Sequence, residues 1–276
     1  MNKEEIALQK KLTAFYESTG TLAWNMMTGG NVHFGYWDDD HKDISLADAT
    51  DMLTKLMIDK TDISRGEKFC DIGCGVGMPA ITLAREKKCL VHGVTIVESQ
   101  KREADKNSRI HKVEDYTRFF TANALNMPFE ENTYDGGWFF ESIFHMGHKE
   151  VLKEAYRILK PSATLLIADM VDIGVMSESG KKSAREINNS VCVKKEDYPA
   201  LLKSTGFELV EMSDITEEVL GPLEPKLLEA VKTNEEALAR IADEDFSNNF
   251  LLLTREVRRV CGYVIVKARK VPGFRG

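Results

Sequence analysis

No apolar run in this chain approaches a membrane span, which takes about 20 consecutive apolar residues, so no membrane partner is expected. The opening residues, MNKEEIALQKKL, are charged and amphipathic and lack the apolar core of a signal peptide. The five cysteines, at 70, 74, 89, 192 and 261, contain no C-x-x-C pair. They suggest neither a zinc site nor a disulfide framework, so no metal is expected, and a reducing cytoplasm is the simplest setting. Positive charge is also short: 37 Lys and Arg against 44 Asp and Glu leave a net charge of −7. A sequence-independent grip on nucleic acid needs a basic surface, so nucleic acid is not expected as a partner. Internal repeats, low-complexity tracts and a domain linker are missing too. What is present is 276 residues, 43% of them apolar, enough for one large domain with a sizeable core.

The richest stretch is Phe69-Cys-Asp-Ile-Gly-Cys-Gly-Val-Gly77. A short apolar run ends in a turn with glycines at 73, 75 and 77, and a helical pattern starts at Met78. Glycine allows the tight turn and lets a ligand touch bare backbone. The following helix aims its free N–H groups and positive dipole end at that ligand. A dinucleotide fold wants G-x-G-x-x-G. Here the spacing is G-x-G-x-G, with Asp71 two residues ahead of the first glycine. This resembles the first motif of class I S-adenosylmethionine (SAM) methyltransferases, D/E-x-G-x-G-x-G. The resemblance implies SAM as cofactor, with Asp71, Gly73, Gly75 and Gly77 at its amino-acid and ribose parts.

From Glu67 onward, strand and helix signals alternate, the mark of a parallel α/β sheet. The pattern predicts strands near 68–72, 90–96, 118–122, 135–140, 164–171, 207–213 and 262–269, and helices near 77–87, 98–111, 148–159 and 195–205. A helix to about Glu17, a glycine-containing loop and a second helix over about 45–60 precede them. The expected fold is a Rossmann-like α/β domain spanning 1–276. Its sheet is seven-stranded and mostly parallel; the family resemblance makes the last strand antiparallel, beside the sixth. Three segments exceed a minimal sheet: about 1–45, 172–194 and 216–259. They follow or precede strands whose C-terminal ends face the ligand in open α/β sheets, and they read as helical caps over an active site. The core is then about 61–171, 195–215 and 260–270.

Further motifs resemble one methyltransferase branch, which includes natural-product sugar O-methyltransferases and sarcosine and dimethylglycine methyltransferases. His92-Gly-Val-Thr-Ile-Val-Glu-Ser-Gln100 has Thr where most nucleotide folds carry an acid for the ribose. The branch shows a similar G-[LIV]-T/S-[LI]-x-x-x-Q pattern, which implies that Thr95 and Gln100 share the ribose. Without that context Thr95 would read as a β-branched strand residue and Gln100 as a solvent-facing one. Thr121-Ala-Asn-Ala-Leu-Asn-Met-Pro-Phe129 looks like the branch's adenine loop and places Asn123 and Ala124 at the base; the Asn carbonyl still accepts from an amino group. His33-Phe-Gly-Tyr-Trp37 resembles the branch's H-x-G-Y-W. It implies Tyr36 and Trp37, joined by Tyr16, near the methionine part, where an aromatic face suits a sulfonium cation.

Tyr134-Asp-Gly-Gly-Trp-Phe-Phe-Glu-Ser-Ile-Phe-His-Met146 resembles the branch's F-D-x-x-x-x-x-E-S-[LI]-x-H-M. Glu141 is expected at the cofactor and His145 where a substrate hydroxyl arrives, as general base. Sugar O-methyltransferases often carry a second histidine where this chain has Phe144. His148 reads as structural. Asp169 closes the apolar run Leu165-Leu-Ile-Ala, and a buried carboxylate needs a partner; it is expected to orient a histidine or bind a substrate hydroxyl. The function implied is methyl transfer from SAM to a small molecule, most simply to a hydroxyl of a secondary metabolite. C- or N-methylation and non-catalytic SAM binding are the alternatives. Oligomeric state is not legible.

Overall fold

The computed structural model describes residues 3–188, 190–241 and 246–274. Three helices come first: α1 (Lys3–Tyr16), α2 (Thr19–Met27) and α3 (Leu46–Asp59). The alternating part runs β1 (Lys68–Ile72), α4 (Met78–Lys87), β2 (Leu90–Thr95), α5 (Glu98–Ile110), β3 (Thr117–Thr121), β4 (Tyr134–Phe140), α6 (His148–Ile158) and β5 (Leu159–Asp172). Then come α7 (Glu178–Asn188), α8 (Tyr198–Ser204), β6 (Phe207–Asp214), α9 (Thr216–Leu220), α10 (Leu223–Thr233), α11 (Glu235–Leu238), α12 (Phe246–Val260) and β7 (Cys261–Lys270).

The strands form one sheet in the order β3-β2-β1-β4-β5-β7-β6. β1 to β5 are mutually parallel, and β7 runs antiparallel between β5 and β6. Parallel strands must be covered on both faces, and β4 shows how. Trp138 and Phe140 enter the core on one face, while Phe139 between them enters the other, because successive side chains of a strand point to opposite faces. The first core is shared with α3 and α4, the second with α6 and α8. Strand order reverses between β1 and β4, so a crevice opens there beyond the carboxyl ends of the strands, where open α/β sheets bind ligands.

The expected strands and sheet helices all form, with ends shifted by a few residues. Two local differences have clear causes. The segment expected to be a glycine-containing loop contains α2, whose N-cap Ser18 accepts the Thr21 N–H; Gly20 falls in its first turn, where a glycine costs little. β5 begins earlier than expected, at Leu159. Tyr134 pairs with Leu159 and Gly136 with Thr164, so the Lys160-Pro-Ser-Ala stretch bulges out between the two pairs, with Ser162 left-handed at φ 64°. Among the described residues, no helix is long and apolar enough to cross a membrane.

Candidate functional site

The turn after β1 builds the floor of the crevice. The N–H groups of Gly73 and Cys74 both donate to the Val94 carbonyl, at 2.8 and 2.9 Å, which pins the turn to β2. The Ser142 hydroxyl donates to the Ile72 carbonyl at 2.6 Å and ties it to the end of β4. Gly75 has φ +52°, and an added Cβ would meet nothing closer than Val32 Cγ2 at 3.8 Å, so the missing side chain leaves open crevice. Gly77 has φ +83° and caps α4; a Cβ there would press within 2.9 Å of Ala104 and the Phe119 ring. One glycine makes room for a ligand and the other lets helix and sheet close up.

Two adjoining cavities lie over this floor. The larger, about 610 Å³ with its mouth, is lined by Thr95, Gln100, Asn123, Ala124, Ser142 and His145, among others. The smaller, about 430 Å³, is lined by Val32, His33, Asp71, Gly77, Phe140 and Glu141, among others. Tyr16, Gly73 and Gly75 belong to both, so the two form one crevice. Leu12 and Tyr16 bring α1 over it as a roof. Gln9 Nε2 donates to the Ile96 carbonyl at 2.9 Å, and the Ser99 hydroxyl donates to Glu17 at 2.6 Å; these bonds hold the roof to the β2–α5 corner.

In the larger cavity the Thr95 hydroxyl donates to Gln100 Oε1 at 2.8 Å and accepts the Val97 N–H at 3.2 Å. Asn123 Oδ1 accepts the Leu125 N–H at 3.0 Å, which shapes its loop. His145 stands edge-on to the Tyr16 ring, centroids 5.9 Å apart, with Phe144 at 4.3 Å.

The smaller cavity is electrostatically unusual. Burial raises the Asp71 carboxyl to about 7, with the Trp138 indole pulling the other way. Neither Asp71 oxygen makes a well-formed hydrogen bond among the described residues. Glu141, left-handed at φ 48°, accepts the Phe34 N–H at 2.8 Å and the Tyr263 hydroxyl at 2.7 Å on one oxygen. Burial still raises it to about 8, outweighing those bonds. His33 stacks on Phe140 at 4.1 Å, and burial lowers it to about 4, so its ring is neutral at pH 7. Both ring nitrogens are engaged, Nδ1 with the Phe34 carbonyl at 2.8 Å and Nε2 with Thr54 at 3.0 Å.

The structure thus brings Tyr16, Asp71, Gly73, Gly75, Gly77, Thr95, Gln100, Asn123, Ala124, Glu141 and His145 to one crevice. Tyr36, Trp37 and Asp169 stand elsewhere. Trp37 is buried in the core with α3, its indole N–H on the Ile44 carbonyl at 3.3 Å, and Tyr36 pairs its N–H with the Ala49 carbonyl. Gly35 makes this possible, since the Trp37 ring folds back onto it. The member of that motif facing the crevice is His33. Asp169 is fully buried and accepts from His148 Nε2 at 2.9 Å and the Tyr198 hydroxyl at 2.6 Å. Its partners come from α6 and α8, so it orients His148 and not His145.

Leu12, Gly30, Val32, His33 and Met146 line the crevice without having been singled out as site residues. His33 and Met146 belong to quoted motifs and Gly30 and Val32 stand just ahead of one, while Leu12 carries no such signal. Of the three segments expected as caps, only the first supplies described lining residues. The others touch it or its surroundings: α7 packs on α1 and the Trp37 N–H donates to the Glu218 carbonyl, while α10 packs on α3 and the Val191 N–H donates to the Phe144 carbonyl.

Comparison with known proteins gives a consistent picture. A family described as a methyltransferase domain matches residues 70–167. The chain is 36% identical to (+)-O-methylkolavelool synthase of Herpetosiphon aurantiacus, covering 74% of this chain and 72% of that protein. It is 30% identical to 27-O-demethylrifamycin SV methyltransferase of Amycolatopsis mediterranei, covering 89% and 92% respectively. Among solved structures, the crystal structure of the (4+2)-cyclase SpnF superposes with a TM-score of 0.82 at 24% identity, covering 96% and 97% of the two chains.

Proposed function

The chain belongs to the SAM-dependent methyltransferase family, and from that premise we propose that it methylates a hydroxyl of a small molecule of secondary metabolism, with His145 as the proton acceptor. The reading rests on one observation above the rest: His145 lines the same cavity as the Thr95–Gln100 pair. A proton acceptor and the side chains proposed for the ribose therefore face one space. The relatives named above, one an O-methylated product's synthase and one an O-demethyl compound's methyltransferase, support a hydroxyl as acceptor.

The crevice fits the cofactor. Gly75 leaves the floor bare, and the hydrogen-bonding edges of Thr95, Gln100 and Asn123 border the larger cavity. In this reading Thr95 and Gln100 hold the ribose, while Asn123 and Ala124 hold the adenine. Asp71 and Glu141 stand at the methionine end, where the cationic cofactor favours their ionised forms, with Tyr16 above it. When bound, the cofactor supplies an electrophilic methyl on a sulfonium. The chain's own work is to align the acceptor and exclude water. His145 takes the hydroxyl proton, for which imidazole is suited near neutral pH. The segments 1–45, 172–194 and 216–259 act together as the cap: the first forms the roof, and the other two stiffen it.

The test is a labelling experiment. The protein is incubated with methyl-labelled SAM and a fractionated cell extract, and the label is located by mass spectrometry. Label as a methyl ether on a small molecule is the expected result. Label on nitrogen or carbon contradicts the choice of atom; label in protein or RNA contradicts the substrate class.

A further inference from the structure

The wall at 123–125 is held from behind by side chains that do not line the crevice. Asn123, Ala124 and Leu125 border the larger cavity, and the residues just after them are fastened to α6. Glu154 and Arg157 lie on one face of that helix, at i and i+3. Glu154 Oε1 accepts the Met127 N–H at 2.6 Å. Arg157 donates through Nη1 to the Phe129 carbonyl at 2.6 Å and through Nη2 to the Met127 carbonyl at 3.1 Å. The two side chains are themselves joined twice, Nε to Oε2 at 2.8 Å and Nη2 to Oε1 at 2.6 Å. We propose that Glu154 and Arg157 are positioning residues for cofactor recognition: they fix the wall at 123–125 and thereby set the preference for adenine over other purines. This deepens the reading above and rests on its adenine assignment.

Asn123 recognises by direction. Its Oδ1 accepts the Leu125 N–H at 3.0 Å, which opposes exchange of the oxygen and nitrogen edges of the amide. Held that way, the amide oxygen accepts from the adenine amino group and repels a carbonyl in the same place. The preference therefore depends on where the loop's main chain stands. Ala124 and Met127 share the second core with Val151, Leu152 and Ala155, but apolar burial is non-directional and does not orient a main chain. Orientation comes from the clamp. Glu154 is 9% exposed, and a buried carboxylate needs partners; it takes the Met127 N–H and Arg157. The planar guanidinium reaches the Phe129 carbonyl, the Met127 carbonyl and Glu154 at once, which a lysine ammonium on its flexible stem does not reproduce. Farther along, the Asn132 N–H donates to the Arg157 carbonyl at 2.9 Å and the Thr133 N–H to the Ile158 carbonyl at 2.8 Å. Those are main-chain bonds, so side-chain substitution at 154 or 157 shifts the loop and leaves α6 docked.

Isothermal titration calorimetry with two ligands tests this: S-adenosylhomocysteine, and S-inosylhomocysteine, in which a carbonyl replaces the adenine amino group. Arg157→Met keeps the apolar stem and removes the fork, Arg157→Lys restores the charge alone, and Glu154→Gln keeps an acceptor for the Met127 N–H without the ion pair. Tyr198→Phe, whose lost hydroxyl bonds Asp169 and not the loop, controls for lost stability. The parent is expected to prefer S-adenosylhomocysteine. Arg157→Met and Glu154→Gln should weaken that ligand about tenfold and S-inosylhomocysteine by less than about twofold, so the preference collapses. Arg157→Lys should fall between Arg157→Met and the parent, and Tyr198→Phe should keep the parent's preference. Folded variants at 154 and 157 that keep the parent's preference overturn the inference, as does an equal loss for both ligands. If Arg157→Met does not fold, Arg157→Lys and Glu154→Gln decide by the same criterion. A parent that binds both ligands equally overturns the adenine assignment, takes the inference with it, and leaves cofactor binding itself standing.

Discussion

Thr95 and Gln100 offer a double-mutant cycle that separates a structural role from a binding role. The two side chains are buried and bonded to each other at 2.8 Å, and the Thr95 oxygen also accepts the Val97 N–H. Thr95→Val removes both bonds and leaves the Gln100 carbonyl and the Val97 N–H without partners. An orphaned buried polar group costs about 1–3 kcal/mol, so thermal and denaturant unfolding should show a loss of that size. Gln100→Leu strands only the Thr95 hydroxyl. In the double variant the stranded Gln100 and Thr95 groups both disappear, so its loss of stability should fall below the sum of the single losses by about 0.5–1.5 kcal/mol. Affinity follows a different rule. If both side chains hold the ribose, each single variant should raise the S-adenosylhomocysteine Kd about tenfold, and the double about 100-fold, at about 1.4 kcal/mol per tenfold. Isothermal titration calorimetry reads this directly. A double variant that binds within about twofold of the parent, while unfolding more easily, refutes the ribose assignment.

Three further outcomes are expected. His145→Ala should lower kcat about 10²–10⁴-fold, the usual contribution of a general base, with S-adenosylhomocysteine affinity nearly kept; near-normal turnover at neutral pH removes His145 as base. Glu141 holds its proton up to about pH 8 when folded and only to about 4.5, the ordinary glutamate value, when unfolded. Between those values the folded state binds more protons, so stability of the ligand-free protein falls as pH rises. Glu141→Gln should flatten that fall in melting curves from pH 5 to 8.5, and a slope identical to the parent's contradicts it. SAM is cationic and favours the ionised carboxylate, so its affinity should rise over the same window. Tyr198→Phe removes a donor to the buried Asp169 carboxylate. It should cost about 1–3 kcal/mol of stability and leave S-adenosylhomocysteine affinity unchanged; weakened binding without destabilisation would place Asp169 in the site after all.

Much of this was legible in the chain because the relevant signals are local. The glycine turn needs positive φ at Gly73, Gly75 and Gly77, and glycine is the residue that supplies it cheaply. Thr95 and Gln100 sit five residues apart across a strand-to-helix corner, a spacing that brings them together. Long-range partners were not legible. Asp169 reads as a carboxylate at a strand end aimed at a crevice. Only the packing of α6 and α8 shows that His148 and Tyr198 claim it. The motif around His33 does not show which of its side chains lines the crevice. That depends on Trp37 folding over Gly35 against Ala49, a contact set by α3. α2 was missed because Gly20 outweighed a helix whose stability comes from burying Ala23, Trp24 and Met27.

The most direct test of the account is a crystal structure of the protein with S-adenosylhomocysteine. The account places the ribose between Thr95 and Gln100, the adenine at Asn123 and Ala124, the amino-acid end over Gly73 and Gly75 beside Glu141, and the sulfur facing the space bounded by His145 and Tyr16. A ligand bound elsewhere, or in this crevice with its sulfur turned away from His145, contradicts it.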